Sequence, residues 1–150
     1  LDFPELPIAA HADASRYKLY FSDSGLLLSQ IDDESQKDVR IRRNLGTWKG
    51  GLFENVIAEA LVKSDVGPFY YKKENSTLEM DFFLRTCDSL VPVEVKAGES
   101  KKAASFKTFV NSRHPRYAIR FSERNLRQDG AFVNIPLYLA SRFSNCLSAV

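Results

Sequence analysis

A chain of 150 residues, 44% hydrophobic and 27% charged, suffices for one domain with a substantial core, and its composition excludes the disordered and fibrous classes. A formal net charge of +2 offers no overall argument for nucleic acid, so that argument has to come from where the charges lie. No apolar run approaches membrane-spanning length, no signal-peptide pattern opens the chain, and Cys87 and Cys146 are too few and too far apart for a disulfide framework or a zinc site.

The expected setting is therefore cytoplasmic, with reduced thiols and no membrane partner. His11 and His114 do not form a metal-ligand pair. Because the chain begins at Leu1, it is expected to be a fragment of a longer protein.

In chain order, residues 1–14 carry Pro4, Pro7 and several alanines and read as irregular. Residues 1–17 form a lead-in to a single domain at 18–150. A short apolar stretch at 17–21 precedes Asp23, an N-cap for a helix through Leu26, Leu27 and Leu28. Residues 32–44 are densely charged, either an exposed helix or a mobile connection. From Gly50, the residues Phe53, Val56, Ile57, Ala60 and Leu61 recur at helical spacing, and Gly67-Pro68 ends that helix.

Three strand-like runs follow at 69–72, 78–85 and 91–96, the first two separated by a polar turn at 74–77. Residues 103–112 read as a helix with Phe106, Phe109 and Val110 inward. Residues 117–121 and 132–135 look like further strands, and Pro136 starts a helix over 137–143. Helix, three strands, helix, strand is an α/β pattern, a sheet with helices packed against it.

Alternation over 78–85 puts Leu78, Met80, Phe82 and Leu84 on one face and Glu79, Asp81, Phe83 and Arg85 on the other. Over 90–96, Val91, Val93 and Val95 share one face, and Pro92, Glu94 and Lys96 the opposite one. If the strands pair, Asp81, Glu94 and Lys96 can converge on one side of the sheet. Carboxylates placed together repel unless a cation sits between them, and Mg²⁺ prefers such oxygens. The competing structural reading is that the charges face water, or that Lys96 or Arg85 compensates Glu94. Against it, a valine-rich run suits a central strand, which seldom exposes Glu and Lys without cause.

Glu54 borders the apolar stripe beside Leu61, where an acid could reach toward Asp81, whereas Glu59 projects well away. Taken alone, Glu54 is more simply a first-turn acid favoured by the helix dipole. Gly50-Gly51 lacks the Lys-Ser/Thr of a phosphate-binding loop, so nucleotide hydrolysis is not assigned to this chain.

From Lys96 to Arg127, nine Lys or Arg face two acids, Glu99 and Glu123, an excess that can attract phosphates but is also what a solvated face looks like. Lys101, Lys102 and Lys107 surround the start of the helix after Lys96, where phosphate binding is favoured. Tyr70 and Tyr71 beside Lys72 and Lys73 could stack a base, though an aromatic strand is more often core. His114 reads as a helix-end residue.

Five pieces stand in order: Lys18-Leu-Tyr-Phe-Ser-Asp-Ser-Gly-Leu-Leu, Gly51-Leu-Phe-Glu54-Asn-Val, Glu79-Met-Asp81-Phe-Phe-Leu, Val91-Pro-Val-Glu94-Val-Lys96-Ala-Gly and Ile135-Pro-Leu-Tyr-Leu. Together they resemble the C-terminal domain of unknown function of bacterial and archaeal AAA-type ATPases, itself similar to the PD-(D/E)XK nuclease superfamily. The likeness runs from about Lys18 to Leu139.

The resemblance implies a restriction-endonuclease-like core, αβββαβ, with a mixed central sheet flanked by helices. It also implies a catalytic set of Glu54, Asp81, Glu94 and Lys96. Asp81 and Glu94 would hold Mg²⁺ (or Mn²⁺ in its place), with Glu54 assisting directly or through a water. Lys96 would position the attacking water and offset developing charge. Glu79 could share the metal or substitute for Asp81. The implied reaction is hydrolysis of a DNA phosphodiester bond, and the implied partner besides DNA is an N-terminal ATPase portion. The alternative is a non-catalytic DNA-binding or protein-interaction module on the same fold.

Overall fold

β3 (Leu90–Lys96) is paired on both sides, antiparallel to β2 (Glu79–Arg85) and parallel to β4 (Ala118–Ser122), in a computed structural model that describes residues 1, 4–41, 46, 48–76, 78–86, 89–98 and 103–143. Six strands form one mixed sheet in the order β1-β2-β3-β4-β6-β5, completed by β1 (Phe69–Lys72), β5 (Arg127–Asp129) and β6 (Phe132–Pro136). Parallel pairing of β3 with β4 requires a crossover, and α5 (Ala103–Arg113) supplies it. α4 (Trp48–Lys63) packs on the other face.

Strict alternation in β3 and β4 produces two apolar layers. Val91, Val93, Ile119 and Phe121 join Ile57, Ala58 and Leu61 of α4. Ala118 points the opposite way, into a layer with Tyr71, Met80, Phe83 and the α5 residues Phe106 and Phe109. Leu1 and Ile8 are buried in this second layer, and the lead-in, expected to be irregular, includes the short helix α1 (Ile8–His11).

Asp23 caps α2 (Ser24–Ser29) as the sequence suggests, its Oδ1 accepting the Gly25 and Leu26 amides at 2.7 and 3.1 Å. Of the charged stretch at 32–44, α3 (Asp33–Arg40) is an exposed helix capped by Asp32, and residues 42–44 lie outside the described residues. α4 starts at Trp48, before Gly50, and buries Leu52, Asn55 and Ala58 as well as Ile57 and Leu61, while Phe53, Val56 and Ala60 are only half-buried. The difference arises because residues 20–24 pack along a second side of the helix, with Asn55 bonded to both the Phe21 amide and its carbonyl.

β5 escapes periodicity because it is three exposed polar residues on a sheet edge, turned into β6 at Gly130, whose φ is +57°. After Pro136 the chain forms a 3₁₀ helix, Leu137–Arg142. Among the described residues, no helix is long and apolar enough to cross a membrane.

Candidate active site

The site begins with an irregularity in β2. Phe69 pairs with Phe83 but Tyr71 pairs with Met80, so two residues of β2, Asp81 and Phe82, oppose one of β1, Tyr70, a β-bulge. The extra residue breaks the alternation expected over 78–85. Met80 and Phe83 both enter the α5 layer, whereas Phe82 and Leu84 enter the α4 layer.

Asp81 lies inside the bulge. The β2–β3 register runs up to Phe82 opposite Val93, and one step further the Asp81 Oδ2 accepts the Val95 amide at 2.7 Å. Burial pushes the Asp81 carboxyl up to about 6; Glu54 and Glu94 push the same way, against the Val95 bond and Lys18. Among the described residues, Asp81 takes part in no ion pair.

Glu94 is buried, and its two oxygens face two cations. Lys96 Nζ lies 2.9 Å from Oε1, and Arg120 Nε donates to Oε2 at 2.9 Å. Arg120 is the parallel partner of Glu94 on β4, its guanidinium 4.9 Å from the Phe132 ring centroid and 5.6 Å from that of Phe106. Its buried Nη2 has no hydrogen-bond partner among the described residues. Glu94 therefore leans toward the face that α5 covers.

Glu54 approaches from α4, on the opposite face. Its Oε1 accepts from Tyr20 Oη at 2.6 Å and from Lys18 Nζ at 2.9 Å. Lys18 also lies 3.0 Å from Glu79 Oε1 and 5.3 Å from the centre of the Tyr70 ring. Burial acts to lower the Lys18 pKa, but Glu54 and Glu79 outweigh it and hold the ammonium above its ordinary value. Burial, then the bond to Glu54, pushes the Tyr20 phenol far above its usual range, so it serves as a donor.

Asp81 thus feels two acids from opposite faces, Glu54 with Lys18 and Tyr20, and Glu94 with Lys96 and Arg120. No three His, Cys, Asp or Glu among the described residues are grouped so that they could hold a metal ion. Mg²⁺ needs less from a protein, one or two carboxylates with water and substrate oxygens completing its shell. In Asp81 and Glu94, a carboxylate oxygen that accepts one bond keeps a further acceptor position.

Lys18, Tyr20 and Arg120 were not singled out by sequence. The first two had a signal, polar tips at alternate positions of the extended residues 17–21; Arg120 had none beyond lying in a strand. Tyr71 is core, Tyr70 lies half-buried beside Lys18, and Lys72, Lys73 and Lys107 are exposed. Lys101, Lys102, Cys87 and Cys146 lie outside the described residues. His114, with φ +46° and its amide donating to the Val110 carbonyl at 2.9 Å, ends α5. Glu59, off the apolar stripe, has a partner on that side: its Oε2 accepts the Ser24 amide at 2.8 Å at the start of α2.

The profile of a family described as a domain of unknown function (DUF4143) matches residues 49–139. No curated protein and no solved structure matches the chain.

Proposed function

The chain belongs to the DUF4143 family, and on that premise we propose that it is a restriction-endonuclease-like domain hydrolysing DNA phosphodiester bonds with Mg²⁺, as part of a cytoplasmic AAA-type ATPase. The observation that carries this reading is Asp81: a half-buried carboxyl fixed in a β-bulge, in the field of Glu54 and Glu94, where a cation would relieve the repulsion.

Asp81 and Glu94 are the residues to hold the ion (Mn²⁺ in place of Mg²⁺ included), which would supply a water of lowered pKa and neutralise charge on the phosphate. The remaining work falls to the chain's own groups. The Val95 amide fixes the Asp81 carboxylate. Lys96, beside Glu94, presents an ammonium able to orient a water and offset charge on the phosphate. Glu54, pinned by Tyr20 and Lys18, adds negative charge on the α4 side without joining Glu94 directly. Glu79 shares Lys18 with it. Exposed Lys107, with Lys101 and Lys102 nearby in sequence, would meet the DNA backbone.

The test is plasmid nicking with Mg²⁺ or Mn²⁺, beside EDTA and the variants Asp81→Ala and Lys96→Ala. Cutting lost in EDTA and in both variants supports the reading. Cutting that persists in both variants removes this site.

A second reading, a non-catalytic DNA-binding or protein-interaction module on the same fold, is favoured by Glu94, since both of its oxygens already face cations of the chain. Salt-sensitive DNA binding that needs no divalent ion, with no cutting, would decide for it.

A further inference from the structure

Lys18 is held on three sides, by Glu54, Glu79 and the Tyr70 ring. It sits on an extended segment whose neighbouring residues Tyr17 and Leu19 are 70% and 85% exposed, so Lys18 and Tyr20 are the ones that reach inward. The segment is fastened one residue later, where Phe21 bonds Asn55 through its amide at 2.8 Å and its carbonyl at 3.3 Å. The ammonium is therefore delivered to a fixed place, between Glu54, which also acts on Asp81, and Glu79, two residues before Asp81 on β2.

Glu54 acts on the half-buried Asp81, and acids set together in this way repel one another unless positive charge lies among them. On the α4 side the chain supplies that charge itself. We propose that Lys18 is a tethered counter-ion of the site, its ammonium taking the place of positive charge beside Glu54 and Glu79, so that a divalent cation entering at Asp81 binds against it. This rests on the proposed function only in taking Asp81 as a cation ligand. It adds that affinity for the ion is set from outside the sheet and α4, by a segment of the chain that carries its own cation. Because Lys18 is largely buried, the repulsion is poorly screened by salt.

The experiment is Mn²⁺ binding to the whole chain at low ionic strength, read from loss of the free-ion paramagnetic resonance signal, a measurement that involves no cutting. Lys18→Met removes the charge and keeps the length of the side chain. It should bind Mn²⁺ tighter by about tenfold or more, as expected for deleting a unit charge near a doubly charged ion. Lys18→Arg, which keeps the charge, should stay near wild type. If Lys18→Met does not fold, as judged by circular dichroism, Lys18→Gln takes its place, since it still donates to Glu54 without charge.

Equal or weaker Mn²⁺ binding by the folded neutral variant overturns the inference, and so does absence of Mn²⁺ binding in all the proteins. Failure of the nuclease reading looks different. A wild-type chain that binds Mn²⁺ but leaves plasmid intact loses the hydrolase reading and keeps the counter-ion. Plasmid cutting with Mn²⁺ affinity unmoved by Lys18→Met does the reverse.

Discussion

Asp81 and Val95 are joined across adjacent strands by a side chain where the backbone ladder gives out, Oδ2 accepting the amide at 2.7 Å, with Asp81 one residue past Phe82 and Val95 two past Val93 of the last registered pair. The same carboxyl that closes the edge of the β2–β3 pairing is pushed up by burial. Structure and chemistry meet in that one group, and its ionisation has a consequence for stability.

With a folded pKa of about 6 against an ordinary 3.8, Asp81 keeps a proton in the native state that the unfolded chain has released. Stability should fall as pH rises from about 4 to about 6, by about 3 kcal/mol in all, and level off above that. Asp81→Asn, which can still accept from Val95, should flatten this slope. Urea unfolding at half-unit pH intervals measures both, and an equal slope in wild type and variant would contradict the assignment.

Glu59 has the opposite sign. Its bonds with the Lys63 ammonium and the Ser24 hydroxyl hold its carboxyl down to about 2, so it favours the folded state above its usual pKa of 4.5. That contribution should be lost as pH falls from about 4.5 to about 2. Glu59→Gln should destabilise the protein by about 1 kcal/mol or less at pH 7, given its contact with solvent, and by nothing near pH 2. A thermal melt at each pH tests the pair of values.

Asn55 is buried and satisfies both backbone groups of Phe21, with its amide also donating to Ser24 Oγ at 3.1 Å. Asn55→Ala should cost about 1–3 kcal/mol and loosen the segment that carries Lys18 and Tyr20. Trypsin should then cut faster after Arg16 or Lys18. Unchanged cleavage in a destabilised variant would show that Asn55 does not fasten the segment.

Arg120 balances Glu94 in a setting closed by two aromatic rings. Arg120→Met should destabilise by about 3 kcal/mol, because it leaves the buried Glu94 with Lys96 as its remaining cation partner among those shown. Combined with Glu94→Gln, the loss should be smaller than the sum of the two, as a double-mutant cycle in denaturant would reveal.

Much of this fold was legible because burial on both sides leaves a clear mark. Val91, Val93 and Val95 announced β3, and the Asp23 cap announced α2 by a local bond that needs no tertiary partner. What escaped depended on distant contacts. The bulge at Asp81 is a register slip against β1, and nothing in residues 78–85 shows it. Asn55 and Glu59 face away from the α4 stripe and gain their roles from residues more than thirty positions earlier in the chain. The acids of the candidate site lie in short sequence motifs on α4, β2 and β3, but the cations Lys18 and Arg120 beside them come from elements whose position only the folded chain defines.

The sheet also acts as a partition. Ile57 belongs to the layer on one face and Phe109 to the layer on the other. Truncations at the two positions should therefore be nearly independent, their penalties adding to within about 0.5 kcal/mol. Either layer is open to repacking without retuning the other, and a volume change under α5 need not be answered under α4. Asp81 is the exception, seated in a gap of the partition and sensing charge from both sides, so it is there that the two halves of the molecule become coupled.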